Sequence, residues 1–274
     1  MGGAENLSLK SFLVKMVIAV VIGSAAGAVI GLVLAFVSEE MFAVLLTALI
    51  IIAAAGFILL CYYVFSRYFK FSKELKRLTN ILYEDIDAER FIEETKVAIA
   101  ITKNKIYRLN FTINLAAGYE ALGDSQKAIE LMKEINITGA NSVYKALYYN
   151  NMAYFYLDTA HVHEAIKTYS EGERYISRLS KNPLFSTTFL HTKAVIEYYK
   201  GNLQLSEELL EKVKLQGKAS HHAATAIDLY LAKIYIKTGR LQKAKVLLDY
   251  NMAQKLLPNI MNDTKILMEE ITKL

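Results

Sequence analysis

Hydrophobic and polar positions follow two different patterns along this chain. Residues 16–37 and 41–65 hold no Asp, Glu, Lys, Arg or His. These runs of 22 and 25 residues reach about 33 Å and about 37 Å as helices, against a hydrocarbon core of about 30 Å. Only Ser38, Glu39 and Glu40 separate them, so the pattern predicts a tight antiparallel hairpin of two membrane spans. The first run is longer than the apolar part of a cleavable signal peptide, about 7–15 residues. Beyond the hairpin the pattern becomes amphipathic, with small and large apolar residues recurring at helical spacing.

The recurrence has a long period. From Ala116, offsets of three, seven, twelve and sixteen lead to Tyr119, Gly123, Ala128 and Met132. From Ala153 they lead to Tyr156, Ala160, Ala165 and Tyr169, and from Ala232 to Tyr235, Gly239, Ala244 and Leu248. From Ala194 they give Glu197, Gly201, Ser206 and Leu210, with the aromatic displaced to Tyr198. A small residue and a Tyr three apart share a helix face. Gly four residues later takes the left-handed conformation that ends a helix. The next small residue packs the second helix on the first. The spacing therefore predicts antiparallel helix pairs, repeated and stacked, over 104–274.

Residues 115–130, Leu-Ala-Ala-Gly-Tyr-Glu-Ala-Leu-Gly-Asp-Ser-Gln-Lys-Ala-Ile-Glu, and residues 231–248 resemble tetratricopeptide repeats (TPR). Residues 152–169 resemble one too, and 193–210 a degenerate one. The units recur at longer intervals than the family's usual period, which places extra residues in 136–143 and 180–185. Joined to the hairpin read from the two uncharged runs, the resemblance gives the expected all-α fold: a two-span transmembrane hairpin followed by a cytoplasmic TPR-like α-solenoid. It also implies a groove lined by the first helix of each pair. Carried over by offset, the peptide-groove candidates are Asn150, Tyr154, Asp158, His191, Tyr198, Tyr199, Lys233 and Lys237. Family members that clamp acidic chaperone tails use five Lys, Arg or Asn residues. The matching positions here are Ile113, Ala117, Asn151, Thr188 and Thr192, and only Asn151 fits.

The chain divides into a tail (1–15), the hairpin (16–65), basic juxtamembrane and linking helices (66–103) and the repeats (104–274), ending in a capping helix from Asp263. Phe71–Leu82 and Ala88–Lys103 read as a leading helix pair, with Asp85 or Asp87 as cap. Two Pro in 274 residues agree with an all-helical chain.

Charge changes the picture at one place. The net charge is +5, but much of the excess sits at Arg67, Lys70, Lys73, Lys76 and Arg77, just after the second run. The positive-inside rule then puts both termini in the cytoplasm of a multi-pass protein, and the compact hairpin suits a bacterial plasma membrane. These five basic residues also face anionic lipid headgroups, beside an interfacial belt of Tyr62, Tyr63, Phe65, Tyr68, Phe69 and Phe71. With the basicity so placed, nucleic acid is not an expected partner.

Gly23, Gly27 and Gly31 give the first run a face of small residues. It packs within the hairpin, or docks a second copy or another membrane protein. Cys61 is an apolar lipid-facing residue or a palmitoylation site. No phosphate loop, His-Glu-x-x-His, G-x-S-x-G or multi-Cys cluster is present, so the expectation is no enzyme, cofactor or metal. His161, His163, His191, His221 and His222 read as surface histidines. The function class is a protein–protein interaction scaffold or adaptor, with a peptide-responsive regulator or an accessory subunit of a membrane complex as alternatives. The partners are a cytoplasmic protein or peptide and the lipid bilayer.

Overall fold

The computed structural model describes residues 38–182, 185–215 and 221–273, with seven positions between Val21 and Gly31. The chain divides into two units, residues 1–69 and 70–274.

In the first unit Ser38 accepts a hydrogen bond from Met41 N at 3.4 Å and starts helix α1, Glu39–Tyr83. The helix does not end at residue 65, where the apolar run stops. The stretch Ser66-Arg67-Tyr68-Phe69-Lys70 contains neither Pro nor Gly, so nothing stops helix propagation into the second unit. From Met41 to Phe69 the side chains are exposed apart from half-buried Cys61 and Ser66. Among the described residues, this one helix is long and apolar enough to cross a membrane, where the pattern predicts two. The first predicted span, 16–37, lies largely outside the described residues. Gly23, Gly27 and Gly31 are helical and exposed, and a Cβ added at any of them meets nothing within 4 Å. The described residues thus support one apolar helix rather than a packed hairpin.

The described residues of the second unit are all-α, arranged as successive antiparallel helix pairs. The end of α1 pairs with α2 (Ala88–Ile101). Then come α3 (Lys105–Ala121) with α4 (Ser125–Lys133), and α5 (Ser142–Asp158) with α6 (Val162–Leu179). They are followed by α7 (Ser186–Tyr199) with α8 (Leu203–Leu215), α9 (His221–Lys237) with α10 (Leu241–Met252), and finally α11 (Pro258–Lys273). In the leading pair Asp87 is the cap, its carboxylate accepting from Arg90 N at 3.0 Å. Phe71 does not join an interfacial belt: it stacks on Tyr107 at 4.0 Å and meets Phe111 edge-on at 5.3 Å. Arg77 is engaged by Glu74 and Glu94, which ties α1 to α2.

The four internal turns share one hydrogen-bond pattern. Asp124, His161, Asn202 and Arg240 donate their N–H to the carbonyls of Tyr119, Tyr156, Glu197 and Tyr235, at 2.9, 2.8, 2.9 and 2.8 Å. This is the Schellman closure, which needs a left-handed residue just before the donor. Gly123, Gly201 and Gly239 supply it at φ 89, 84 and 72°, and Ala160 at 61°. The small residues of the pattern are the helix contacts: Ala116, Ala128, Ala153, Ala165, Ala194, Ser206, Ala232 and Ala244 are fully buried. Ser206 satisfies its buried hydroxyl on the Ala194 carbonyl at 2.7 Å.

Ala160 is the costly member of the turn set. An L-residue in the left-handed region costs about 1–2 kcal/mol, and Gly gives back about 0.5–1 kcal/mol in chain entropy. Ala160→Gly is therefore expected to stabilise the protein by about 0.5–1 kcal/mol, and Gly123→Ala to destabilise it by a similar amount. Urea titrations of the two variants check the opposite signs.

The last helix does more than cap the last repeat. It starts at Pro258, earlier than predicted, and packs on α9 and α10 as expected. It also reaches α3, where Asn259 Nδ2 donates to Glu120 Oε1 at 2.6 Å. Leu257 enters the core formed by Leu78, Leu82 and Phe91 of the leading helices and Phe111 of α3. Lys255 donates to the Asp85 carbonyl. The C-terminal segment thus closes the repeat array back onto its start.

Candidate functional site

The first helices of the repeats place their polar residues on one inner face because their small residues are committed to the second helices. Asn150 stands three residues before Ala153 and Tyr154 one after it. His191 stands three before Ala194. These side chains meet in a cavity of about 270 Å³. Its polar wall is Glu120, Asn150, Asn151, Thr188, Thr192, His191 and His222, and its apolar wall includes Tyr83, Tyr154, Phe155, Ile227 and Ile260. A second cavity of about 360 Å³ shares Tyr154 and Ile260. Asp158, Leu229, Tyr230, Asn259 and Asp263 line it as well.

The groove candidates separate on this geometry. Asn150, Tyr154 and His191 line the first cavity, and Tyr154 and Asp158 the second. Tyr198, Tyr199, Lys233 and Lys237 line neither. Tyr198 is buried, with the Lys237 ammonium 4.1 Å from its ring centre. Lys233 lies 4.7 Å from the Tyr230 ring centre and forms an ion pair of 2.8 Å with Asp263 of α11. That pair holds the final helix against the repeats.

Burial sets the protonation of the polar wall. Glu120 is pushed up to about 8, first by burial and then by the charge of Asp158, against the hydrogen bond from Asn259. Burial thus favours its neutral form. Asp158 is raised by burial of its carboxyl, although part of the residue is exposed; the Ser125 hydroxyl opposes this by donating to it. His191 and His222 are both depressed to about 4, by burial foremost. These two are therefore neutral, half-buried imidazoles, each with one ring nitrogen shut off from solvent, rather than surface histidines. Of the others, His161, His163 and His221 are exposed.

Three buried polar atoms of the first cavity have no hydrogen-bond partner among the described residues: Asn150 Oδ1, His191 Nε2 and His222 Nδ1. Asn150 is 1% exposed, and its amide nitrogen donates to Asn151 Oδ1 at 3.4 Å. A desolvated acceptor left unpaired costs about 1–3 kcal/mol. The repeat offsets point to Asn150 and His191. Glu120 stands four residues after Ala116, the offset of Tyr198 from Ala194. His222, Tyr83, Asn259 and Asp263 lie outside the repeat register, and no local spacing announces them.

No protein-family model matches the chain, and no curated protein does. Two solved structures of TPR-like repeats are similar to it, both from a Podosopora anserina protein described as a candidate kinesin light chain with nearly identical repeats. One, a single-substitution variant, is 23% identical and covers 72% of this chain and 97% of its own, with a TM-score of 0.43. The other is 21% identical and covers 75% of this chain and 98% of its own, with a TM-score of 0.42.

Proposed function

We propose that the protein is a membrane-held adaptor whose TPR-like repeats bind a segment of another protein at the cytoplasmic surface. The observation that carries this reading is the walled inner cavity in which buried Asn150 presents an unpartnered acceptor. A bound backbone N–H or side-chain donor offsets the desolvation of that atom. Tyr83, Tyr154 and Phe155 offer rigid apolar area beside it. The exposed apolar stretch from Met41 of α1 supports lipid as its surroundings, since a soluble protein rarely leaves so large a continuous apolar face open. Span 16–37 joins it in this reading, and Arg67, Lys70 and Lys73 keep the repeats on the cytoplasmic side. Confinement to a surface raises the effective concentration of weakly bound partners.

The full-length protein with a photo-cross-linking residue at Asn151, kept in cell membranes, is expected to capture a partner. The same residue at exposed Lys167 on the second helix of that unit is expected to capture none. Equal labelling from both positions, or none from Asn151, overturns the groove. Ile52→Arg combined with Leu59→Arg is expected to move the protein out of the membrane fraction; its retention there overturns the anchor.

A further inference from the structure

The two inner cavities have an unusual charge. Their walls contain three carboxyl groups, Glu120, Asp158 and Asp263, and among the described lining residues no Lys or Arg. This occurs in a chain of net charge +5. The nearby cation Lys233 is committed to Asp263 at 2.8 Å. The neutral atoms tell the same story. Asn150 has its amide nitrogen turned to Asn151 and its oxygen unpartnered. Burial foremost depresses His191 to about 4, so its ring is a neutral imidazole. With the proton on Nδ1, the unpartnered Nε2 is a bare acceptor. Asn150 Oδ1 and, with the proton on Nδ1, His191 Nε2 are therefore acceptors in want of donors.

A carboxylate or phosphate ligand would find no Lys or Arg among the described lining residues to balance its charge. An apolar ligand would leave Asn150 Oδ1 and His191 Nε2 desolvated without partners. We propose that this inner face receives a cationic group bearing several N–H donors, a guanidinium or ammonium, with Glu120 as counter-ion and Asn150 Oδ1 and His191 Nε2 as its neutral acceptors. A positive charge beside a buried carboxyl favours its ionised form, so Glu120 releases its proton to solvent as the cation enters. Tyr83 and Tyr154 on the same wall add aromatic surface suited to a cation. This rests on the reading of the inner face as a binding groove and names the chemistry of what enters it: an Arg or Lys side chain of a partner segment, or a free small cation.

The test uses the full chain in detergent micelles, titrated calorimetrically with agmatine, with the peptide acetyl-Ala-Ala-Arg-Ala-Ala-amide, and with the same peptide carrying citrulline for Arg. Citrulline keeps the shape and removes the charge. The Arg peptide is expected to bind at least about tenfold more tightly than the citrulline peptide, since hydrogen bonds to charged groups are worth about 1.5–3 kcal/mol. Glu120→Gln is expected to abolish that preference. Asn150→Leu is expected to weaken the Arg peptide about tenfold, with an unchanged circular-dichroism melt showing that the fold persists. Binding of agmatine as tight as the peptide assigns the site to a free cation; tighter peptide binding assigns it to a partner segment. Equal binding of the Arg and citrulline peptides, an Arg preference that survives Glu120→Gln, or no binding of either cation overturns the proposal. Cross-linking from Asn151 judges the groove itself independently of these titrations.

Discussion

Gly172→Ala is expected to destabilise the repeat unit by about 1–3 kcal/mol, although alanine is the better helix former by about 1 kcal/mol. Gly172 lies in the interior of α6, where α5 approaches so closely that an added Cβ would stand 2.3 Å from Tyr149 Cβ and 2.7 Å from its Cγ. The first of these atoms is fixed to the backbone of α5, so no rotamer change relieves the contact and the two helices must separate. Separation disturbs a packed neighbourhood: the Tyr149 ring stacks on Tyr175 at 6.2 Å, and Ala146 of α5 is fully buried. Gly118→Ala should act in the same direction, because its Cβ would stand 2.6 Å from the Phe91 ring, which is itself fully buried. Ser170→Ala, at an exposed position of α6, should stay within about 0.5 kcal/mol. Thermal melts of the three variants decide the matter. A Gly172→Ala protein as stable as the parent would mean that α5 and α6 are not in this close contact.

The parts of the fold that were legible in the sequence are those set by neighbours along the chain. Turn closure requires a left-handed residue, so Gly123, Gly201 and Gly239 mark the turns directly, and Ala160 is found because it occupies the same offset. Helix pairing within a unit requires small residues, so Ala116 and Ala128 reveal it at a separation of twelve. The contacts that shape the inner face have no such local cause. Asn259 meets Glu120 and Lys255 meets Asp85, residues brought together only once every intervening pair has stacked. No period of 37 to 41 residues encodes that return. The same reason hid the character of His191 and His222. Their surroundings come from α5, α7, α9 and the end of α1, so a sequence window shows two ordinary polar residues. The continuity of α1 was missed for the opposite reason. Its hydropathy changes near residue 65, but a helix follows backbone propensity and not the polarity of its surroundings.

The same groups are expected to give the protein a stability maximum at about pH 6.5. His191 and His222 have folded-state values of about 4, against about 6.5 in an unfolded chain. Between those limits only the unfolded state binds their protons, so stability rises with pH by about 1.4 kcal/mol per unit for each fully expressed group. Glu120 works the other way. Its folded value of about 8 against an ordinary 4.5 means that only the native state holds its proton in that window, and stability falls as pH rises, by the same slope. Asp158, also raised, adds to the falling side at the lower end. From about pH 4.5 to about 6.5 the two histidines outweigh the acids; from about 6.5 to about 8 Glu120 acts alone. Glu74, Glu94, Glu197 and Glu207 are lowered by their ion-pair and hydrogen-bond partners. They steepen the loss on acidification below their ordinary range. Melts in urea from about pH 5 to about pH 9 should therefore trace an asymmetric dome. Glu120→Gln, whose amide oxygen still accepts from Asn259, should remove the alkaline fall and stabilise the protein at about pH 8 by several kcal/mol. His191→Gln should flatten the acid limb and leave the alkaline one in place. A parent curve that stays flat from about pH 6.5 to about pH 8 would show that Glu120 ionises in the folded protein, and that solvent reaches the inner face far more freely than this packing allows.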